Sequence, residues 1–383
     1  MRLAIIHDYL IQMGGAERVV ATMSEAFPEA PIYTSVTDYT GLLPEFLGKD
    51  IRNSLMNLIP GVQRHFKKLF PLYPFAFRAL PRVDGDVVWI SSSGFAKWIR
   101  VSESARTVCY CYTPPRFFWT GDAYLDRELE GVILKKIAAA FLQLLREWDY
   151  HCAQRIDRFI AISRCVQQRI WDCYGRHSEV IYPPVDVDRF SISQNQQDYY
   201  LVLSRLVGYK RIDLAIQAFN QLGERLLVLG DGPDRERLQA LAGPTITFLG
   251  RRTDEETNQY LQGCRALIFP GLEDFGIAPL EAQACGRPVI AFAGGGALET
   301  VIPDETGILF QEQTADLLAD AVSRSKLKKW STERIRANAL NFGRQIFLEK
   351  MGAAIEAAYR EDSDRLTEQK GSRAQAVEES YGL

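Results

Sequence analysis

Two glutamates, Glu273 and Glu281, stand eight positions apart in EDFGIAPLE and flank Phe275, Gly276 and Ile277. Two carboxylates held close suit an acid/base pair for breaking a glycosidic bond. They equally suit two separate acceptors, each reading hydroxyls of a bound sugar. A second stretch, SRLVGYKR at 204–211, sets Arg205 and Lys210 five apart across a turn containing Gly208. Arginine grips phosphate with a planar fork and lysine adds a compact charge, so the pair suits a diphosphate. Solvated surface charge is the plain alternative. HDYLIQMGGAER puts His7 and Asp8 at the end of the first apolar run. Gly14 and Gly15 then open a helix whose free N–H groups suit an anion. The spacing is not G-x-G-x-x-G, which weighs against a nicotinamide or flavin enzyme. AFAGGGALETV at 291–301 offers more backbone amides. LGDGP at 229–233 reads as a structural turn, with Pro233 in the first turn of a helix.

These residues need elements to hold them. Short β-branched runs alternate with amphipathic ones. Strands are expected at 3–7, 31–35, 87–91, 107–112, 158–162 and 179–182, and helices at 15–26, 62–70, 124–155 and 163–174. A polar stretch, SISQNQQD, follows at 191–198, and the alternation restarts with strands at 199–203, 225–229, 245–249, 266–269, 288–292 and 307–310. Alternation of this kind implies parallel sheets covered by helices on both faces. The expected organisation is a first domain at 1–190, a linker at 191–198 and a second domain at 199–345. A helix at 346–361 would pack back on the first domain, and 362–383 would be a disordered polar tail. Ligands of such sheets bind beyond the carboxyl ends of the strands, so a cleft between two facing domains is the expected site.

Bulk numbers narrow the classes. The 383 residues are 47% hydrophobic and 24% charged, with net charge −3, so no nucleic-acid partner is expected. None of the seven cysteines forms a C-x-x-C pair, which argues against zinc and thioredoxin-type sites. Their odd number fits a reducing compartment. The first strand follows Met1 at once, leaving no room for a signal peptide. No apolar run reaches the roughly 18–20 residues that span a bilayer.

Taken in order, IHDYLIQMGGAER, SRLVGYKR, LGDGP, EDFGIAPLE and GRPVIAFAGGGALETV resemble the retaining glycosyltransferases of the GT-B fold, glycosyltransferase family four. The resemblance extends to about residue 345 and is most specific over 200–310. HDYLIQMGGAERV and YCYTPPRF further resemble the mannosyltransferases that assemble bacterial O-antigen and exopolysaccharide. The resemblance implies an α/β chain of two doubly wound Rossmann-like domains. It implies a nucleotide-sugar donor, GDP-mannose foremost, and a glycan or lipid-linked acceptor. Arg205 and Lys210 match the pair that holds the donor diphosphate. Glu281 matches the glutamate on the nucleotide ribose, and Glu273 the one facing the sugar hydroxyls. Phe275, Gly276 and Ile277 lie in the same donor-binding stretch, and Gly14 and Gly15 match a loop that closes over the donor. A histidine that the family often has at YCYTPP is replaced here by Tyr112, which donates a hydrogen bond but is a poor base. Tyr112 therefore joins Arg205, Lys210 and Glu273 in the expected catalytic set. His7, beside Asp8, is a further candidate, against the plainer reading of a buried, satisfied histidine.

A nucleoside diphosphate is already a good leaving group and mainly needs its developing charge stabilised, which two cations can do. Glu273 and Glu281 are thus expected to be two acceptors on one donor, not an acid/base couple. No cofactor and no metal are expected: the D-x-D triplets at 84–86, 186–188 and 362–364 do not sit in a convincing metal context. A catalytically silent sugar-nucleotide-binding partner, a UDP-sugar enzyme and a nucleotide-dependent oxidoreductase are the competing readings. Finally, residues 51–83 hold six Lys/Arg and five Phe/Tyr with no carboxylate. That composition suits an anionic membrane surface, and hence a cytoplasmic protein peripheral to the inner face of the membrane. A first-domain helix with an apolar core face is the plainer alternative.

Overall fold

The structure, a computed structural model, describes residues 1–12, 14–119 and 132–360. The chain forms two compact units. One comprises Met1–Ile162, Val166–Ile181 and the chain from Leu348; the other comprises Ser163–Cys165 and Tyr182–Phe347. The expected tail at 362–383 lies outside the described residues.

The first unit holds seven parallel strands: β1 Leu3–His7, β2 Ile32–Thr34, β3 Ile51–Asn53, β4 Val87–Ser92, β5 Arg106–Cys111, β6 Arg158–Ala161 and β7 Ser178–Val180. Their order is β3-β2-β1-β4-β5-β6-β7. The second unit holds β8 Tyr200–Leu203, β9 Leu226–Leu229, β10 Ile246–Gly250, β11 Leu267–Phe269, β12 Val289–Phe292 and β13 Gly307–Phe310, in the order β10-β9-β8-β11-β12-β13. The central strands LAIIH and VVWISS are buried at every position. Both faces of the sheet are covered, which is why these runs are continuously apolar rather than alternating. In each sheet the order reverses once, between β1 and β4 and between β8 and β11. A ligand site is expected beyond the strand ends at such a reversal.

Several boundaries depart from expectation. The units exchange chain at Ile181/Tyr182, not at 190/191. The polar stretch 191–198 is held by the second unit: Arg287 donates to the Ser193 carbonyl (2.8 Å) and Gln197 N–H to that of Gly263 (2.8 Å). Its lack of periodicity marked an irregular segment, not a domain boundary. β3 was missed because a three-residue edge strand with a polar side chain in the middle carries almost no pattern. The helix expected at 62–70 is a turn of α-helix, Val62–His65, running into a 3-10 helix, Phe66–Leu72. Pro71 cannot donate to an α-helical ladder there. A helix spans 344–360.

The aromatic content of 51–83 divides between core and surface. Tyr73 and Phe77 are buried, Phe66 leans on Tyr9 with ring centroids 5.1 Å apart, and Phe75 is 64% exposed. Arg52 and Arg82 pair with Asp50 and Glu103.

Under the β4 end of the first sheet lies a buried ion pair, Lys97 Nζ to Asp149 Oδ1 at 2.9 Å. Asp149 also accepts from Trp98 Nε1 (3.0 Å), Trp119 Nε1 (3.1 Å) and Tyr174 OH (2.6 Å), so all its acceptor capacity is used. Burial opposes the Lys97 charge, but the Asp149 carboxylate outweighs it and holds the ammonium above its ordinary value. Losing one partner of a buried pair leaves an uncompensated charge, so Lys97→Ala is expected to cost about 3–5 kcal/mol. Urea unfolding of the first unit measures this; a loss below about 1 kcal/mol would contradict it.

Candidate functional site

In the second unit the expected residues come from the two strands beside the reversal. Arg205 and Lys210 follow β8, while Glu273, Phe275, Gly276 and Ile277 follow β11. Lys210 Nζ forms an ion pair with Glu273 Oε2, and both side chains are largely sheltered, at 15% and 17% exposure. The loops meet backbone to backbone: a Cβ on Gly271 would stand 2.9 Å from Lys210 Cα. Arg205 is exposed; its carbonyl accepts from Ser204 Oγ and Val207 N–H (both 3.1 Å).

Gly276 caps the helix Ile277–Ala284 at φ +94°, a conformation that favours glycine. Glu281 lies in that helix, with Arg189 Nη2 at 3.9 Å. Arg189 also pairs with Asp254. Phe275 is buried, stacked on Tyr182 at 5.5 Å and tilted against Phe342 at 5.9 Å. Its ring is a packing element of the loop. The triple-glycine turn serves the same loop. Gly296 N–H donates to the Glu273 carbonyl (2.9 Å), and a Cβ there would stand 2.1 Å from the Phe275 oxygen. LGDGP is a structural turn, as expected: Leu206 N–H donates to the Asp231 carbonyl (3.1 Å).

In the first unit, His7, Asp8, Gly14, Gly15 and Tyr112 gather beyond β1, β4 and β5. His7 Nδ1 lies 3.0 Å from Ser91 Oγ, and Ser91 Oγ lies 3.0 Å from Tyr112 OH. Tyr112 OH donates to the Ala16 carbonyl (3.1 Å). Burial pushes the phenol well above its ordinary range, with the Ser91 hydrogen bond acting the other way. Tyr112 is therefore a neutral donor that holds the start of the helix Gly15–Ala26. The Gly14 N–H is already engaged, by Glu17 Oε2 at 2.9 Å and the Gln12 carbonyl at 3.0 Å. Asp8 is fully used inside the unit, accepting from Ser93 N–H (2.6 Å) and Ala96 N–H (2.7 Å). It shapes the loop after β4.

The triplet at 84–86 lies before β4, at the opposite end of the sheet. Asp186 and Asp188 point to solvent. The third triplet lies outside the described residues. Among the described residues no group of three His, Cys, Asp or Glu side chains is placed to hold a metal ion.

Two family models match adjoining parts of the chain: Glycosyltransferase Family 4 over residues 13–189 and Glycosyl transferases group 1 over residues 186–342. Together the two glycosyltransferase models cover residues 13–342 of the chain. Its fold is GT-B: it superposes on Anabaena HepE, solved in complex with UDP, with TM-score 0.68 and 18% identity, covering 93% of this chain and 100% of that one. The mannosyltransferase ALG2 of Candida glabrata is 23% identical over 79% of this chain and 78% of its own length. A GDP-mannose-dependent phosphatidylinositol monomannoside mannosyltransferase of Mycolicibacterium smegmatis is 30% identical over 42% of this chain and half of its own length. An uncharacterized glycosyltransferase of Methanocaldococcus jannaschii is 25% identical over 54% of this chain, which spans 60% of that relative's length.

Sequence reasoning missed three residues of this glycosyltransferase that touch the expected ones. Glu17 was readable, because a glutamate at the third helical position behind a cap is a capping signal. Ser91 and Arg189 had no such mark; only pairing of β4 beside β1 and the fold of the second unit bring them in.

Tyr112→Phe removes a hydrogen bond from a backbone carbonyl and is expected to cost about 0.5–1.5 kcal/mol of stability. Turnover should stay within about tenfold of wild type, since a general acid or base would be worth 10²–10⁴. Steady-state kinetics beside thermal melts checks both; a loss above 10² with a normal melt would return Tyr112 to the catalytic set.

Proposed function

We propose that this glycosyltransferase moves mannose from GDP-mannose onto a lipid-linked or polysaccharide acceptor, with retention at the anomeric carbon. The observation that carries the reading is the Lys210–Glu273 pair across the β8 and β11 loops, with the exposed cation Arg205 on the β8 loop. A cation that faces a carboxylate has a counter-charge that a diphosphate can replace. In this reading Arg205 and Lys210 take up the charge that develops on the leaving diphosphate. Glu273 then reads sugar hydroxyls and Glu281 the ribose, with Arg189 orienting Glu281. The departing phosphate receives the acceptor's proton on the face it leaves, so neither glutamate acts as an acid. Two protein cations do the work of a divalent ion, and no cofactor enters. Two relatives named as mannosyltransferases support mannose, and one of those names supports GDP. The HepE complex with UDP supports the second reading, a UDP-sugar donor. The pairing of Lys210 with Glu273 argues against a silent partner protein. A lipid-linked acceptor would place the chain at the inner face of the cytoplasmic membrane, with residues 51–83 toward the bilayer.

A panel of nucleotide sugars, read by donor turnover and by the anomeric signal of the product, tests donor and stereochemistry together. Arg205→Ala or Lys210→Ala should cut turnover by roughly 10²–10³, the scale of one lost charge stabiliser, while the wild type keeps its rate in excess chelator. Near-normal variants, or loss in chelator rescued by magnesium, would sink the clamp. The glutamates should separate in calorimetry. Glu281→Gln weakens the nucleoside diphosphate and the full donor alike. Glu273→Gln frees Lys210, so the nucleoside diphosphate binds at least as well while sugar transfer falls. Equal losses for both ligands in both variants would refute the division.

A further inference from the structure

The helix Val132–Gln154 has two apolar sides. Leu142, Leu145 and Asp149 face inward and are buried. Ile137 and Leu144, seven apart and so on a common stripe, are 62% and 56% exposed. Trp148 extends that stripe and meets Phe75, with ring centroids 6.5 Å apart. Phe75 sits on the helix Tyr73–Ala79, against which the turn Leu55–Leu58 packs. Leu55 and Leu58 are 72% and 77% exposed, and Leu72 is 42% exposed. One unit thus exposes large apolar side chains on two helices joined by the Phe75–Trp148 contact and on a turn packed against one of them. Scattered exposed leucines need no explanation, but a connected patch marks an interaction surface.

Charge identifies what it meets. Residues 51–83 carry six Lys/Arg and no carboxylate, Arg52 and Arg82 being paired with Asp50 and Glu103, and the helix Val132–Gln154 carries Lys135, Lys136 and Arg146 against Glu147 and the buried Asp149. Arg64, Arg78 and Lys136 are exposed. A second copy of the chain would meet this patch with itself, since a two-fold interface is self-complementary, and would set cation against cation. An anionic phospholipid surface takes both the cations and the apolar side chains.

We infer that Ile137, Leu144, Phe75, Leu72, Leu58 and Leu55 form a membrane-insertion face, ringed by Arg64, Arg78 and Lys136. It deepens the reading of a lipid-linked acceptor and rests on it for its purpose. The new element is the stripe on Val132–Gln154, which lies outside 51–83. The apolar side chains enter the headgroup–acyl boundary and the cations stay at the phosphates.

The test is co-sedimentation of the full chain with vesicles of phosphatidylcholine, with and without phosphatidylglycerol, in the absence of donor and acceptor. The wild type is expected to bind the anionic vesicles and to be released as salt rises, since screening shortens the reach of the cations. Leu58→Ser/Phe75→Ser/Leu144→Ser should lower vesicle partitioning at least about tenfold, because each removes apolar area from the buried set. Arg64→Glu/Arg78→Glu/Lys136→Glu should abolish the preference for phosphatidylglycerol. All six positions are exposed, so melting temperatures should hold and report any variant that fails to fold. Three results would overturn the inference: wild type that ignores anionic vesicles at low salt, a triple serine variant that binds like wild type, or a dimer that the serine variant dissolves. Because no sugar is present, a chain that transfers sugar yet ignores vesicles overturns this inference and leaves the proposed reaction standing.

Discussion

Everything placed at the end of the second sheet depends on loops that touch through their backbones. The β8 loop and the β11 loop meet at Gly271, and the β11 loop and the β12 loop meet at Gly296. In both cases the partner is main chain, which cannot turn aside as a side chain can. A methyl group at either position would wedge adjacent loops apart, because interiors packed this densely have no room to absorb it. The Gly296 N–H then fixes the spacing by its bond to the Glu273 carbonyl. Glycine here serves proximity. The AFAGGG turn has a structural use: it holds the loop that carries Glu273.

Proximity of the loops is what allows Lys210 to reach Glu273. Each is the other's counter-charge, so neither is left unpaired in a mostly sheltered place. Under the proposed function the pair also sets the terms of donor binding. A diphosphate that draws Lys210 away must release Glu273, and a released carboxylate seeks donors such as sugar hydroxyls. Under the proposed function, engagement of the phosphate and engagement of the sugar would thus be coupled through one ion pair. The exposed Arg205 carries no such constraint, so it is the cation able to meet the ligand first.

Strands and long helices were legible because burial on both faces leaves continuous apolar runs, as in LAIIH and VVWISS, and because helix Gly15–Ala26 keeps one apolar stripe. Arg205, Lys210, Glu273 and Glu281 were legible as residue types with meaningful spacing on loops after strands. Less legible was anything decided by tertiary neighbours. Phe275 reads as a binding residue by its place between Glu273 and Gly276, yet Tyr182 and Phe342 claim its ring. Asp8 reads as a site carboxylate by its place after a strand, yet Ser93 and Ala96 take both oxygens. Membrane contact read from 51–83 by composition alone could not separate Phe77, which is core, from Phe75, which is not. Nor could it bring in Leu144 from a segment far along the chain.

The first unit adds a constraint on its own glycine turn. A helix N-terminus attracts anions through unsatisfied N–H groups and the helix dipole. Here the chain supplies the anion itself: the Glu17 carboxylate accepts from Gly14 N–H, and Glu17 is buried. An incoming phosphate at Gly14 would meet an amide already in use and a negative charge already present. Its gain is the difference between two hydrogen-bonded states, which is far smaller than the gain at a vacant helix start. Displacing Glu17 needs somewhere for the carboxylate to go. His7 Nε2, which has no hydrogen bond among the described residues, lies 4.0 Å from Glu17 Oε1. His7 is in turn oriented by Ser91 Oγ, and Ser91 by Tyr112, whose hydroxyl holds the Ala16 carbonyl. The four side chains close a ring around the turn. That ring explains why a tyrosine can stand where the resemblance leads one to look for a histidine: at this position it steadies the backbone of the turn, a task that requires a long neutral donor and no change of protonation state.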